Sequence, residues 1–174
     1  MLQDFLFQIK FGKLNVCTYI CIVKLESAIQ STKFKNEIHK ASLNILYTAW
    51  WLKTITVKEL KEFGITHEQY NVLRILKGKY PEQVCVKEIA SRMIEKNSNV
   101  PRIIDRLELK KLVKRSNCSS DKRETVIILT QAGITILDSC NKKINELMDK
   151  ALPINNQEAM TINALLEKVR QNEE

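Results

Sequence analysis

The stretch VCVKEIASRMIEKNSNVPRIIDRLELKKLVKRSNCSSDKRETVIIL, residues 84–129, decides the fold. It contains a short apolar helical pattern, a second helical pattern with a basic polar face, and two β-rich segments joined by Cys118-Ser119-Ser120-Asp121-Lys122-Arg123. From Lys96 to Arg123, nine Lys or Arg stand against three Asp or Glu, so 28 residues carry +6 of the chain's net charge of +8. Such clustering favours an anionic partner such as nucleic acid.

The second helix of this stretch is predicted from apolar residues spaced i, i+3, i+4 and i+7 between Val100 and Leu107. Pro101 helps to locate its start, because proline is tolerated in the first helical turn, where its missing N–H has no intrahelical partner. Ser98 or Asn99 is therefore the expected N-cap. The other face carries mostly charged side chains, which are Asn99, Arg102, Asp105, Arg106 and Lys110.

The rest of the chain is largely helical in pattern, as the low content of 4 Gly and 3 Pro suggests. A first helix is predicted from about Lys35 to about Val57. A second follows a Thr66-x-x-Gln69 capping box and stops at Gly78 and Pro81.

Further elements are predicted on either side of the basic helix. A short β run over Val84–Val86 precedes a third helix that reaches Met93 and Ile94. Leu112–Asn117 and Glu124–Leu129, of which the second is rich in β-branched residues, predict a hairpin. Thr130 is expected to cap a fifth helix that ends before Pro153, and Asn155 or Asn156 to start a sixth.

Two short helices separated by Glu95-Lys96-Asn97, with a basic second helix, predict a helix-turn-helix, and the following hairpin makes it a winged helix. The N-terminal turn of the basic helix offers free N–H groups to phosphates, while Arg102 and Arg106 project outward. The fold class is thus mainly α with a small β wing.

Composition limits the alternatives. The 174 residues, 44% hydrophobic and 28% charged, suit one soluble globular core. The five cysteines are odd in number and widely spread, which fits a reducing cytoplasm better than a disulfide framework. The uncharged run Leu14–Val23 is shorter than the ~20 residues of a membrane-spanning helix, so no membrane span is expected. No small-residue cleavage site follows an early basic region, so a signal peptide is not expected either.

Three motifs together resemble the MarR family of bacterial transcriptional regulators. They are Gly64-Ile65-Thr66-x-x-Gln69-Tyr70-Asn71-Val72-Leu73, Ser98-Asn99-Val100-x-Arg102-Ile103-Ile104-Asp105-Arg106-Leu107, and Asp121-x-Arg123 followed by Leu129-Thr130-x-x-Gly133. The resemblance covers about Leu25 to Arg170. It implies an obligate homodimer, built from the first, fifth and sixth helices, that sets two winged helices on a pseudo-palindromic operator in double-stranded DNA, usually as a repressor.

On this basis the chain divides into an N-terminal extension (1–34), a dimerisation helix (35–57), a winged helix-turn-helix DNA-binding domain (58–130) and C-terminal dimerisation helices (131–174). Two residues depart from the family pattern. Lys111 stands where glycine is usual, so the helix end is capped differently or by a left-handed non-glycine residue. Pro101 replaces a frequent Thr or Ser and removes one hydroxyl.

The expected DNA contacts are polar or basic residues of the basic helix and the wing. They are Ser98, Asn99, Arg102, Arg106, Lys114, Arg115, Ser120, Lys122 and Arg123, of which the resemblance implies that Arg123 enters the minor groove. Asp121 is expected to orient the Arg123 guanidinium. Asp105 and Glu108 would repel phosphate, so we interpret them as balancing neighbouring charges.

The resemblance also implies a small aromatic or anionic effector in a cleft between the dimerisation helices and the winged helix. The residues expected near that cleft are Tyr47, Trp50, Trp51, His67 and Tyr70. An aromatic stripe at helical spacing is more often part of a core than of a pocket, so both interpretations stay open.

The sequence shows no nucleotide-binding loop, paired Cys-x-x-Cys, His-rich cluster or nucleophile motif, so no enzymatic activity, cofactor or metal is expected. Cys118 at the wing tip is the thiol expected to be most exposed. The alternative function is a winged-helix dimer that acts as a protein-interaction module without DNA recognition.

Overall fold

The structure, a computed structural model, describes residues 23–117 and 125–171. The chain divides into two compact units, the first reaching Tyr47 and the second starting at Thr48. In the described residues the elements are α1 (Leu25–Ala28), α2 (Glu37–Lys61), α3 (His67–Lys77), β1 (Val84–Cys85), α4 (Val86–Arg92), α5 (Val100–Leu109), β2 (Val113–Asn117), β3 (Thr125–Leu129), α6 (Gln131–Ala151) and α7 (Asn156–Val169).

The first unit contains α1 and the beginning of α2. Leu25 is buried, and the Lys40 ammonium lies 2.5 Å from the Glu26 carboxylate. The same ammonium stands 5.6 Å from the centre of the Phe34 ring. These contacts connect the described end of the predicted N-terminal extension with the start of α2.

The first predicted helix corresponds to α2, and its predicted end at Val57 is wrong, because α2 continues to Lys61. Leu60 is fully buried in the core of the second unit, which favours another helical turn. The chain then leaves the helix in a Schellman turn. Gly64 has φ +63°, its N–H donates to Lys61 O at 3.0 Å, and the Ile65 N–H donates to Leu60 O at 3.2 Å.

The core of the second unit surrounds α3. The predicted capping box is confirmed: the Thr66 hydroxyl accepts from the Gln69 N–H, and the Gln69 side chain accepts from the Thr66 N–H, each at 3.2 Å. Residues of every other element in the second unit except α7 join one buried cluster with α3. Its fully enclosed members include Leu60, Leu73, Leu76, Ile89, Met93, Ile104, Leu107, Ile127 and Leu137.

The third predicted helix corresponds to α4, and its bounds were wrong at both ends. Val86 is the first helical residue rather than the end of a strand, because Cys85 in extended conformation caps the helix with its sulfur. Met93 is extended and buried, and it ends the helix. Ile94 lies beyond, where its N–H donates to Asn71 Oδ1 at 3.0 Å.

The strands form one antiparallel sheet in the order β1-β3-β2. β2 and β3 pair from Val113 opposite Leu129 to Asn117 opposite Thr125, as the hairpin prediction requires. β1 adds Val84 opposite Ile127. The predicted fold class, mainly α with a small β wing, is confirmed.

Two side-chain caps start the C-terminal helices where the sequence places them. The Thr130 hydroxyl accepts from the Gly133 N–H at the start of α6. Asn155, rather than Asn156, caps α7 and forms a capping box with Glu158. Unlike α6, α7 has no buried residue in the described chain.

Of the cysteines, Cys85 and Cys140 are free thiols, and burial raises the pKa of the Cys140 thiol. Cys17, Cys21 and Cys118 lie outside the described residues. In residues 23–117 and 125–171, no helix has both the length and the apolar character that crossing a bilayer demands.

Candidate nucleic-acid interface

The start of α5 is fixed by a local polar cap. The Asn99 side chain accepts a hydrogen bond from the Arg102 N–H at 3.2 Å, which makes Asn99 rather than Ser98 the N-cap. Pro101 occupies the first turn, as predicted. The other N–H groups of the first turn also have partners, because the Val100 N–H donates to Ser98 O at 2.9 Å, the Ile103 N–H donates to Asn99 O at 3.1 Å, and Pro101 has no N–H. The expectation that this turn offers free N–H groups to phosphates is therefore wrong.

The two faces of α5 have opposite character. Val100, Ile104 and Leu107 are buried, whereas Arg102 and Arg106 are exposed. The exposed face borders a depression of about 380 Å³, lined by Glu68, Glu95, Asn97, Ser98, Asn99, Arg102, Ile103 and Arg106. Four of the expected DNA contacts, Ser98, Asn99, Arg102 and Arg106, are thus brought to one surface.

Arg115 has acidic partners on α5. Its guanidinium pairs with Asp105, its Nε lies 3.3 Å from Glu108 Oε2, and its backbone N–H donates to Glu108 Oε1 at 3.2 Å. Asp105 and Glu108 were expected to balance neighbouring charges on their own helix, and that location is wrong, because the cation they pair with is Arg115 on β2. These contacts attach the wing strand β2 to α5.

The remaining expected contacts fall on the wing. Lys114 is exposed on β2. Ser120, Asp121, Lys122 and Arg123 lie outside the described residues, so their expected roles stay predictions.

Lys111, which stands where the family pattern usually has glycine, adopts the left-handed backbone conformation. Lys111 has φ +59°, its N–H donates to Glu108 O at 2.8 Å, and the Leu112 N–H donates to Leu107 O at 3.0 Å. This is a Schellman turn, with a side chain where glycine is favoured. The α5 end thus repeats the hydrogen-bond pattern seen at the end of α2.

The five aromatic residues expected near an effector have unlike surroundings. Tyr70 is buried, and its hydroxyl donates to Asn141 Oδ1 at 2.7 Å, so its position is that of a core residue. Burial raises the pKa of its phenol. On α2, Tyr47 and Trp51 are half-buried, whereas Trp50 is exposed. His67 is half-buried at the start of α3.

His67 belongs to a charged cluster that the sequence analysis missed. Its Nδ1 lies 3.7 Å from Glu95 Oε1, and the Lys53 ammonium lies 2.6 Å from that oxygen and 3.9 Å from Glu68. The hydrogen bond to Glu95 raises the pKa of Lys53. His67, Glu68 and Glu95 offer possible metal-ligand atoms within 4.8 Å of one another, but Lys53 already supplies a compensating cation.

Lys110 is a second residue that the sequence analysis assigned only to a polar face. Its ammonium donates to Gly64 O at 2.5 Å and to Gln69 Oε1 at 3.0 Å. No local pattern signals either this contact or the Lys53–Glu95 pair, because their partners are 46 and 42 positions apart along the chain.

Comparison with known proteins identifies the family. A profile of the MarR family matches residues 65–125. The chain is 30% identical over 112 residues to MgrA, a helix-turn-helix transcriptional regulator of Staphylococcus aureus, and the match covers 64% of this chain and 74% of MgrA. The chain belongs to the MarR family. The resemblance drawn from the three sequence motifs is confirmed.

Other comparisons are consistent with this assignment. The chain is 29% identical over 99 residues to the uncharacterised helix-turn-helix regulator YkoM of Bacillus subtilis (strain 168). That match covers 57% of this chain and 56% of YkoM, so the chain spans little more than half the length of this relative. Among solved MarR structures, Sco3205 of Streptomyces coelicolor, in complex with DNA, has a TM-score of 0.73 and 20% identity over 82% of this chain and 94% of that one. This structural likeness supports the MarR fold.

Proposed function

We propose that this MarR-family regulator binds a pseudo-palindromic operator in double-stranded DNA as a homodimer and represses transcription. The observation that carries the proposal is α5, which is held by a buried apolar stripe and presents Arg102 and Arg106 beside a capped N-terminus. Sco3205, the structural neighbour, was solved with DNA, which supports the same use of the fold here. A regulator of this kind acts in the cytoplasm and needs no catalytic activity.

In this proposal α5 enters the major groove with its N-terminal turn toward the base edges. Arg102 and Arg106 are suited to guanine, whose O6 and N7 accept two hydrogen bonds from one guanidinium. Ser98 and Asn99 lie at the same end and are assigned to phosphate or base edges. Lys114, Ser120, Lys122 and Arg123 are assigned to the wing contacts, with Asp121 orienting Arg123, and Arg115 contributes less because of its acidic partners.

The homodimer is supported by apolar residues that one chain leaves exposed on its helices. On α2, Ile38 is 81% exposed and Leu46 is 67% exposed. On α7, Leu165 and Val169 are 58% and 69% exposed. Soluble proteins rarely leave such residues along whole helices uncovered, so a second copy is the proposed cover. This assigns residues 35–57 and 131–174 to dimerisation, and 58–130 to DNA binding.

Release by a small aromatic or anionic effector is the remaining part of the proposal. Tyr47, Trp50, Trp51 and His67 are its candidate contacts, and Tyr70 is assigned to the core. Such an effector must bind more tightly to a dimer whose half-site spacing differs from the one that DNA requires. An effector with equal affinity for both dimer conformations would leave their populations, and so DNA binding, unchanged.

Electrophoretic mobility of DNA from immediately upstream of the chain's own gene tests the proposal. We expect a shifted band whose affinity falls steeply with salt, because phosphate contacts release counterions. Arg102→Ala should weaken binding by about 1–3 kcal/mol and relax sequence preference. Lys142→Ala removes an equal charge from the exposed surface of α6 and should have little effect. No salt-dependent shift with the native chain would favour the protein-interaction module instead.

A further inference from the structure

Both ends of α5 are connected to the α2–α3 corner by lysine side chains. We propose that Lys110 and Lys53 are positioning residues that set the place of α5 along its own axis, and so determine how selectively it engages DNA. The inference rests on the proposed DNA-binding function and names residues outside the expected DNA contacts. Neither lysine needs to touch DNA for this role.

The C-terminal connection joins two helix ends. Lys110 is the C-cap of α5, and its ammonium donates to the carbonyl of Gly64, the left-handed residue that ends α2. The ammonium also donates to Gln69 Oε1, an acceptor on a side chain that is only 2% exposed. Because the same Gln69 oxygen accepts from the Thr66 N–H, Lys110 is tied to the group that caps α3.

The N-terminal connection runs through the turn before α5. Lys53 on α2 holds Glu95 at 2.6 Å, and His67 approaches the same carboxylate oxygen at 3.7 Å. Next to Glu95, the Ile94 N–H donates to Asn71 Oδ1 on α3. Glu95 also lines the depression beside Arg102 and Arg106. A shift of Glu95 would therefore alter the border of the proposed interface.

These contacts are suited to positioning rather than to stability. Lys53 and Glu95 are 45% and 40% exposed, and ion pairs at such exposure add little to the free energy of unfolding. The apolar stripe of α5 holds the helix against the core, but hydrophobic contact is non-directional and tolerates small sliding. Hydrogen bonds fix distance and angle, so one at each end restrains that sliding.

Lys110→Met and Lys111→Met form a matched pair for the C-terminal connection. Each removes one positive charge from the same end of α5 and keeps a long side chain, but only Lys110 contacts Gly64 and Gln69 in the described structure. The measurement is the affinity for the upstream operator, the affinity for a scrambled duplex of equal length, and thermal unfolding. The ratio of the two affinities separates positioning from simple phosphate attraction, which acts alike on both duplexes.

We expect Lys110→Met to lower the operator-to-scrambled ratio by about tenfold, as expected for a small misplacement of recognition groups, with the unfolding temperature nearly unchanged. Lys111→Met should lower both affinities similarly and leave the ratio nearly constant. Equal ratios for the two variants, with the native chain binding its operator, would overturn the positioning role of Lys110. Absence of operator binding by the native chain would instead reject the proposed function itself.

A double-mutant cycle tests the N-terminal connection. Lys53→Met and Glu95→Met should each lower the same ratio, and the double variant should be no worse than either, because all three break one contact. Losses that simply add would show that Lys53 does not act through Glu95. The general gain in DNA affinity expected on removing the Glu95 charge cancels in the ratio.

Discussion

Lys111 carries a side chain in the left-handed region of backbone conformation, at φ +59°. Such a position costs a non-glycine residue about 1–2 kcal/mol relative to the right-handed region. Gly64, at φ +63° in the equivalent turn after α2, avoids that cost. The end of α5 is therefore less stable than its hydrogen bonds alone suggest.

Lys111→Gly is expected to raise the free energy of unfolding by about 0.5–1 kcal/mol, because glycine relieves the left-handed strain at the expense of a more flexible unfolded chain. Urea denaturation at neutral pH measures the change. Lys111→Ala removes the same charge but keeps the Cβ atom, so it should not stabilise. A stabilised alanine variant would show that charge rather than backbone strain is responsible.

At the scale of single residues, the sequence predicts helix caps, because these depend on residues that are close together along the chain. The caps at Thr66 and Thr130 follow from side chains that bond backbone groups three residues away, and both are confirmed. Lys110 is different, since its acceptors become neighbours only after α3 and α5 pack together. The contacts proposed to position α5 were therefore not readable from local sequence.

At the scale of elements, the junction between the wing and α6 depends on close backbone approach. The Thr130 N–H donates to Leu112 O at 3.1 Å, and a Cβ atom built on Gly133 would lie only 2.1 Å from that oxygen. Gly133 is also buried. A side chain here would push the start of α6 away from the turn that follows α5.

Gly133→Ala is therefore expected to destabilise the fold by about 1–3 kcal/mol or more, although alanine normally favours a helix. Gly78→Ala is the matched control, because its φ is −65° and its added Cβ would find ordinary contacts of 3.6 Å or more. That variant should be neutral or slightly stabilising. Thermal unfolding that gave both variants the same sign of change would contradict this account.

Element boundaries were predictable where a cap or proline marks them, and less so elsewhere. Asn99 and Pro101 mark the start of α5, whereas the end of α2 depends on the burial of Leu60 in the tertiary core. Likewise, Val86 has a β-branched side chain but starts α4, because the Cys85 cap and the core position of Ile89 favour the helix.

At the scale of the whole molecule, α7 is a helix that the described part of one chain leaves without a buried face. In the described chain α7 has 14 residues with none buried and only Ala159 and Leu166 half-buried, so it gains little packing energy there, and isolated helices of this length are marginal in water. The sequence allowed this expectation, because apolar stripes on helices outside the winged helix exceed what one small core can cover.

Leu165→Asp combined with Leu166→Asp should shift the protein from dimer to monomer or unfold it, because charged residues would replace the apolar cover expected from a second copy. Sedimentation velocity at micromolar concentration, together with circular dichroism, distinguishes the two results. Asn163→Asp places the same residue type on the same exposed helix and should leave the dimer intact. If the native chain sediments as a stable monomer, the proposed homodimer is wrong.

The close approach of Gly133 to the Leu112 carbonyl fixes the start of α6 at the base of the wing. The 21 residues of α6 span about 32 Å at the usual helical rise, and its first turn is fixed to the Leu112 carbonyl. A displacement of about 3 Å at the Ala151 end corresponds to a tilt of about 5° about the fixed start for a rigid helix of this length. For a rigid α6, a movement of that size at Ala151 would therefore tilt the helix where it meets the base of the wing.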